Sequence, residues 1–389
     1  MSTFLKNAEA LVFELLTIPG VSRREGAVMN FIKERLVAAG ASPDAIKSDQ
    51  AHRQSGKDGE VGNLVFRLPG SKAGKRRMLM AHADTVPLCE GARPLRRGQY
   101  VVPADKHTAL GADDRAGTAV ILATALEILQ KELPHPPLTF LWTVQEEIGL
   151  YGARHARVGL LGKPQLAFNY DGGPAEKLTM GATGGYRMEI QVTGCAAHAG
   201  VAPEKGVSAI TVAALAIAQL HADGWLGRVE KNGRQGTSNV GVIHGGDATN
   251  VITPAVTLRA EARSHNSAFR RRIVRAIEKA FLKAARAVRN DEGLRGKVEF
   301  DGHLDYESFR LAEDEPCLLA AEEVIREVGG VPIRSISNGG LDANWMAVHG
   351  IPTVTLGCGQ ENGHTQAERL NLVEFRKACE IALKLAMDA

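Results

Sequence analysis

Apolar positions recur at helical spacing between Thr3 and Ala39, with Leu11, Leu15, Met29, Ile32 and Leu36 on the pattern and Pro19-Gly20 interrupting it. The spacing predicts two helices joined by a turn. Beyond them the period changes. Short apolar runs at 63–68, 77–81, 138–144 and 165–170 read as strands, and the stretch from Asp114 to Lys131 reads as a helix. This alternation predicts an α/β fold, with a mainly parallel sheet flanked by helices.

A second pattern begins after Gly181-Ala-Thr-Gly-Gly185. Strands at 187–192, 238–243, 255–262 and 297–300 enclose helices at 207–221 and 269–289, the order of a small α+β ferredoxin-like sandwich. From Glu315 the first pattern resumes with a helix at 316–328, a strand at 353–356 and a helix at 372–387. The expected organisation is one α/β domain made of residues 1–181 and 307–389, with an α+β domain of residues 182–306 inserted into it.

Composition agrees with two domains: 389 residues, 44% of them hydrophobic, exceed one ordinary core. The formal charge of +3 is small, and no basic run is interleaved with aromatics, so nucleic acid is not expected as a partner. Cys89, Cys195, Cys317, Cys358 and Cys379 form no CxxC pair, which suits a reducing compartment. The N-terminus has no basic segment leading into an apolar one, and no stretch approaches the roughly 20 apolar residues that span a bilayer. A soluble, cytoplasmic chain without a membrane partner is expected.

Candidate chemistry collects at strand ends. His82 and Asp84 follow the run ending at Ala81, Glu146 and Glu147 follow Val144, Asp171 follows Tyr170, and His364 lies a short loop beyond Leu356. Open parallel sheets bind ligands outside the carboxyl ends of their strands. The adjacent Glu146 and Glu147 would leave an extended backbone in opposite directions, so that one could hold a metal while the other carries a proton. Asp113 lies in Leu110-Gly-Ala-Asp-Asp-Arg-Ala-Gly117, just before a predicted helix, where on its own it would read as a cap. His82, Asp113, Glu147, Asp171 and His364 supply two imidazoles and three carboxylates, enough for two divalent ions if one carboxylate bridges. Zinc suits such donors best, with cobalt and manganese as alternatives. Three carboxylates against two dications leave one positive charge, which a bridging hydroxide would neutralise. Zinc lowers the pKa of a bound water to about 7 in known cases. His52, His135, His155, His221 and His349 have no comparable company and read as structural or surface residues.

With these residues assembled, the chain resembles the M20 family of di-zinc peptidases, and within it the peptidase T-like group. The resemblance rests on Met80-Ala-His-Ala-Asp-Thr-Val-Pro87, Leu110–Gly117, Val144-Gln-Glu-Glu-Ile-Gly149, Tyr170-Asp-Gly-Gly173 and Gly363-His364, and it spans essentially the whole chain. It implies one ion on His82, Asp113 and Asp171 and a second on Asp113, Glu147 and His364. Glu146 would be the general base toward a metal-bridging hydroxide, and Asp84 would orient the His82 ring. It also implies a cis peptide at Asp113–Asp114. The inserted domain resembles the family's lid and dimerisation domain, so a homodimer is expected. There His198 matches a histidine that steadies the oxyanion, and Asn250 and Arg263 match residues that bind substrate. Peptidase T has an arginine before its Gly-Gly-Thr-Asp segment, whereas this chain reads Ser337-Asn-Gly-Gly-Leu-Asp-Ala-Asn344. The departure argues against strict tripeptide specificity and leaves Asn338, with Asp342 and Asn344, as pocket or turn residues.

The implied activity is hydrolysis of small peptides in the manner of an aminopeptidase or tripeptidase. The alternative substrate class is N-acyl amino acids, cut by an amidohydrolase or carboxypeptidase of the same family. A two-metal phosphoesterase and an inactive dimerising protein on this scaffold rank lower. The first would not need Glu146 as a free base, and the second would not need an intact ligand set.

Overall fold

The computed structural model describes residues 1–387, which fall into two compact units, one made of residues 1–182 and 310–387 and the other of Thr183–Phe309. The second junction lies a little beyond 306 because the strand Lys297–Tyr306 runs longer than its apolar residues indicate.

The first unit is built on a nine-stranded mixed sheet. Its centre is the row Leu138–Thr143, Arg77–His82, Leu166–Tyr170 and Thr353–Leu356, in which each strand runs parallel to the next. All four are buried along their whole length, as strands covered by helices on both faces must be. Leu64–Leu68 and Ile46–Ser48 extend one side antiparallel, and Lys177–Ala182 pairs antiparallel with Thr353–Leu356 on the other, with Ile333–Ser337 and Phe309–Arg310 at that edge. From Arg77–His82 the chain crosses to one neighbour and then to the other. That reversal opens a crevice at the carboxyl ends of the strands.

The helix Ala112–Gln130 packs against this row and is buried along nearly its whole length. A Cβ at Gly117 would lie 2.1 Å from the Tyr170 carbonyl oxygen, so only glycine allows helix and strand to approach this closely. The helices Thr3–Leu15, Pro316–Glu327 and Leu372–Met387 contribute Val12, Leu15, Leu318, Phe375 and Ile381 to the core, each fully buried. Among the described residues no helix is long and apolar enough to cross a membrane, and all five cysteines are free.

A small antiparallel sheet escapes the sequence reading. It joins Gln360–Glu361, Arg369–Asn371, Tyr100–Pro103 and Pro94–Arg97. Its strands are two to four residues long, too short for a period to register.

The second unit is a five-stranded antiparallel sheet carrying the helices Ala209–Ala222 and Ser267–Ala287. Across the sheet run Gly227–Lys231, Arg234–His244, Ala255–Ser264, Gly184–Thr193 and Lys297–Tyr306, the last four in the order of a split βαβ sandwich. The first strand is additional to the four expected. It is mostly exposed and charged, which hid it from hydrophobic patterning, but Asn232-Gly233 between it and the next strand is a hairpin signal.

Candidate metal centre

The strands deliver their terminal residues to one place. His82 ends its strand, Asp171 follows Tyr170, and Asp113 precedes the regular turns of the buried helix, with a cis peptide between it and Asp114. His82 Nε2 lies 3.2 Å from Asp113 Oδ1, and His364 Nε2 lies 3.3 Å from Asp113 Oδ2 and 2.8 Å from Glu147. Ligand atoms of His82, Asp113 and Asp171 lie within 4.8 Å of one another, and so do those of Asp113, Glu147 and His364. Asp113 is common to both triads. Asp114 turns away, accepting from the backbone N–H of His82 and Gly117.

The glutamate doublet is not placed by strand alternation, contrary to the sequence reading. The strand ends at Thr143, and Gln145 takes a left-handed conformation with φ of 56°, so Glu146 and Glu147 lie in a turn. Buried carboxylates fix that turn. Asp84 Oδ1 accepts from the Glu146 N–H at 3.0 Å, and Asp84 Oδ2 accepts from the Glu147 N–H at 3.2 Å and from Ser22 Oγ at 2.6 Å. The hydrogen bond of His82 Nδ1 is to the carbonyl oxygen of Asp84, at 3.1 Å, with Oδ1 at 3.5 Å. Asp84 thus holds the doublet by its carboxylate and the ring mainly by its backbone.

The electrostatics identify what the cluster needs. Burial, then the charge of Asp113, pushes Asp171 up to about 6. Burial pushes Glu147 up to about 7 against the opposing hydrogen bond from His364. Hydrogen bonds to Asp113 and Glu147 push His364 up to about 10. Burial acts to raise Asp113 and lower His82, but hydrogen bonds from His364 and then His82 hold Asp113 low, and the charge of Glu146 followed by hydrogen bonds to Asp113 and Asp84 holds His82 high. Carboxylates crowd both rings, Glu146, Asp113 and Asp84 around His82 and Asp113 and Glu147 around His364. That is a donor set short of positive charge, and two divalent cations would supply it in place of the ring protons.

Glu146 belongs to neither triad that shares Asp113, but it lies close beside them, in a third group with His82 and Glu147 whose ligand atoms are within 4.8 Å of one another. It is 9% exposed, and burial, followed by the charges of Glu147, Asp342 and Asp171, pushes its carboxyl well above the usual range against the pull of His82. A carboxyl raised in this way holds a proton more readily than a free one, as a proton carrier must.

Glu25, which the sequence reading missed, accepts from the N–H of Arg23 at 2.8 Å and of Gln145 at 3.1 Å through Oε1, while Oε2 is buried without a partner. Burial, then the charge of Asp84, pushes its carboxyl from 4.5 up to about 7. A carboxyl raised by folding contributes its full stability below the unfolded value and loses it as pH climbs through the folded one, here worth up to about 3 kcal/mol. Glu25→Gln is expected to flatten the fall in stability of the metal-free protein between about pH 5 and pH 8 by that amount. Urea denaturation at the two pH values measures it, and parallel curves for variant and wild type would refute the assignment.

The remaining expected site residues are placed more loosely. In the second unit the His198 segment bridges to Val251, the Ala199 N–H donates to the Asn250 carbonyl, and both His198 and Asn250 are exposed. The Gly200 N–H donates to His198 Nδ1, so the neutral ring carries its proton on Nε2. Arg263 already makes a two-pronged contact with Glu261, at 2.9 Å on each side, and a substrate carboxylate would compete for that fork. Asn338 is exposed in a bend. Asn344 accepts from the Leu341 N–H at 2.8 Å and Asp342 accepts from Thr143, so these two build the start of the helix Asp342–Val348. Of the histidines set aside, His135 and His349 hydrogen-bond carbonyl oxygens, and none of the five joins a metal-type cluster among the described residues.

Comparison with known proteins gives concordant results. Residues 78–388 match the model of peptidase family M20/M25/M40. A tripeptidase from Staphylococcus aureus superposes with a TM-score of 0.87 at 30% identity, covering 98% of this chain and 97% of the other. The aminopeptidase PepT from Bacillus cereus gives 0.84 at 30% identity, covering 98% of each. Carboxypeptidase G2 from a Pseudomonas strain is 30% identical over 84% of this chain and 76% of its own.

Proposed function

The chain belongs to peptidase family M20/M25/M40 and is a peptide-bond hydrolase of the peptidase T-like group, and we propose that it cuts short peptides at their free amino end using two divalent ions. The observation that carries the two-ion reading is the pair of ligand triads sharing Asp113. His82, Asp113 and Asp171 would hold one ion and Asp113, Glu147 and His364 the other, zinc being the best match to mixed imidazole and carboxylate donors. Ions so held would polarise the scissile carbonyl and acidify the attacking water.

The protein's own groups do the rest. Glu146 takes a proton from the attacking water on a carboxylate oxygen and returns it to the leaving nitrogen, a general base turned general acid. Asp84 keeps Glu146 and Glu147 in register with His82 through the hydrogen bonds described above. For His198 the proposed role is donation from Nε2–H to the developing oxyanion. Asn250, Arg263 and Asn338 are the proposed substrate contacts, and the proposed setting is a cytoplasmic homodimer assembled through the 183–309 unit.

The similarity to carboxypeptidase G2, equal in identity to that with PepT, favours a second reading in which the substrate is an N-acyl amino acid or a peptide cut at its carboxyl end. A panel of tripeptides, their N-acetylated and C-amidated forms, dipeptides and N-acyl amino acids separates the two. The aminopeptidase reading expects free-amino tripeptides to be cleaved at least about tenfold faster than N-acetylated ones, because a site that recognises a free amine rejects the analogue without it. Faster turnover of the acylated series would transfer the assignment to the second reading.

A further inference from the structure

Glu368 lies on the same exposed excursion as His364. The segment leaves the small sheet at Glu361 and re-enters it at Arg369, the two strands held by the Gln360–Leu370 and Glu361–Arg369 pairs and by a 2.6 Å ion pair between Glu361 and Arg369. Asn362 and His364 both adopt left-handed backbone, with φ of 57° and 63°. Asn362 and residues 364 to 367 are exposed, whereas Glu368 is 1% exposed. A carboxylate that leaves an exposed loop for the interior must find strong partners there.

Its closest partners are the backbone of the Asp113 turn, with Cys89 Sγ farther off at 4.0 Å from Oε2. Glu368 Oε2 accepts from the Leu110 N–H and the Gly111 N–H, each at 2.8 Å, and Oε1 accepts from the Asp113 N–H at 2.9 Å. Gly111, with φ of 81°, makes this concave set of donors possible at the start of the long helix, where negative charge is favoured. A local Asp or Ser cap would serve the helix equally well. What a local cap could not do is tie this turn to a segment more than 250 positions away that carries His364. The fit between the two segments is close. A Cβ at Gly363 would lie 2.8 Å from Asp113 Oδ2, so a larger residue there would press on the Asp113 carboxylate.

We propose that Glu368 is a positioning residue that docks the His364 loop onto the Asp113 turn and so builds the Asp113–Glu147–His364 triad. This deepens the two-ion reading and rests on it. His364 has no strand or helix to hold it and is half-exposed, whereas His82 and Asp171 are set by buried strands of the main sheet. Loss of the Glu368 contacts should therefore fall on the second ion more than on the first.

The test is calorimetric titration of Zn2+ into the metal-free full chain, wild type against Glu368→Gln. The amide keeps the size of the side chain but sets an NH2 group against backbone donors. The expected result is a 10–100-fold loss of affinity for one ion of the two, the range found when a group orienting a ligand is removed, with the other ion within about threefold of wild type. Glu368→Asp, which keeps the charge but not the reach, should lie between. Two ions bound with wild-type affinity by a folded Glu368→Gln overturn the proposal. So does an equal loss at both sites, which would mark a purely structural role. If Glu368→Gln does not fold, hydrogen exchange at the Leu110, Gly111 and Asp113 amides in Glu368→Asp replaces it, and unchanged protection there overturns the proposal. If wild type takes up only one ion, the two-ion reading fails separately, and the docking of the loop is judged by the same exchange measurement.

Discussion

Glu146→Gln is expected to hydrolyse peptide on the order of a thousandfold more slowly than wild type, within the range typical of lost general acid–base catalysis, while binding the same metal complement and showing a similar KM. The amide has the shape of the carboxylate and can sit in the same turn, because the Asp84 contacts run to the backbone of residues 146 and 147 and not to the Glu146 side chain. Only the capacity to hold a proton is removed. Burial and three neighbouring carboxylates raise the Glu146 carboxyl, a setting suited to receiving a proton from water and giving it up to an amine in one cycle. Steady-state kinetics beside metal analysis measures the effect. A variant with near-normal kcat would remove Glu146 from the mechanism, and one that had lost its metal would make it a ligand.

Asp113→Asn is expected to lose both ions and with them all measurable turnover, whereas Asp171→Asn loses one. The difference follows from geometry: Asp113 presents Oδ1 toward His82 and Oδ2 toward His364, while Asp171 belongs to a single triad. Asn keeps one oxygen and no charge, so a carboxylate that would offset two dications is replaced by a group that offsets neither. Binding to the folded state alone stabilises it by about 4 kcal/mol for each site when the free ion exceeds its dissociation constant a thousandfold. Wild type should therefore show a rise in Tm on adding Zn2+ that Asp171→Asn shows in part and Asp113→Asn does not show. Equal losses in the two variants would refute the shared position of Asp113.

The centre was legible in the sequence to the extent that buried parallel strands announce themselves. Met78-Leu-Met-Ala81 is a continuous apolar run and Leu138–Val144 a mainly apolar one broken only by Thr139 and Thr143, and whatever polar residues follow such runs arrive together at the carboxyl edge of the sheet. The buried helix could be placed for a similar reason, with its regular turns starting after Asp114. The supports of the site were not legible, because they act through the backbone across long separations. Glu368 reaches Leu110, Gly111 and Asp113, and Glu25 reaches Gln145, with no periodicity to connect either pair. The doublet shows the limit of extrapolating a strand by even two residues: one left-handed residue, Gln145, converts an expected alternation into a turn. The two-residue strand Gln360–Glu361, which anchors the His364 loop, is invisible to any window long enough to detect a period.

The order of the segments has a consequence for the birth of the enzyme. His82, Asp113, Glu146, Glu147 and Asp171 precede the 183–309 unit in the chain and His364 follows it. Domains tend to fold as they emerge from the ribosome, N-terminal parts first, yet on the two-ion reading the second triad would stay open until the whole intervening unit had been made.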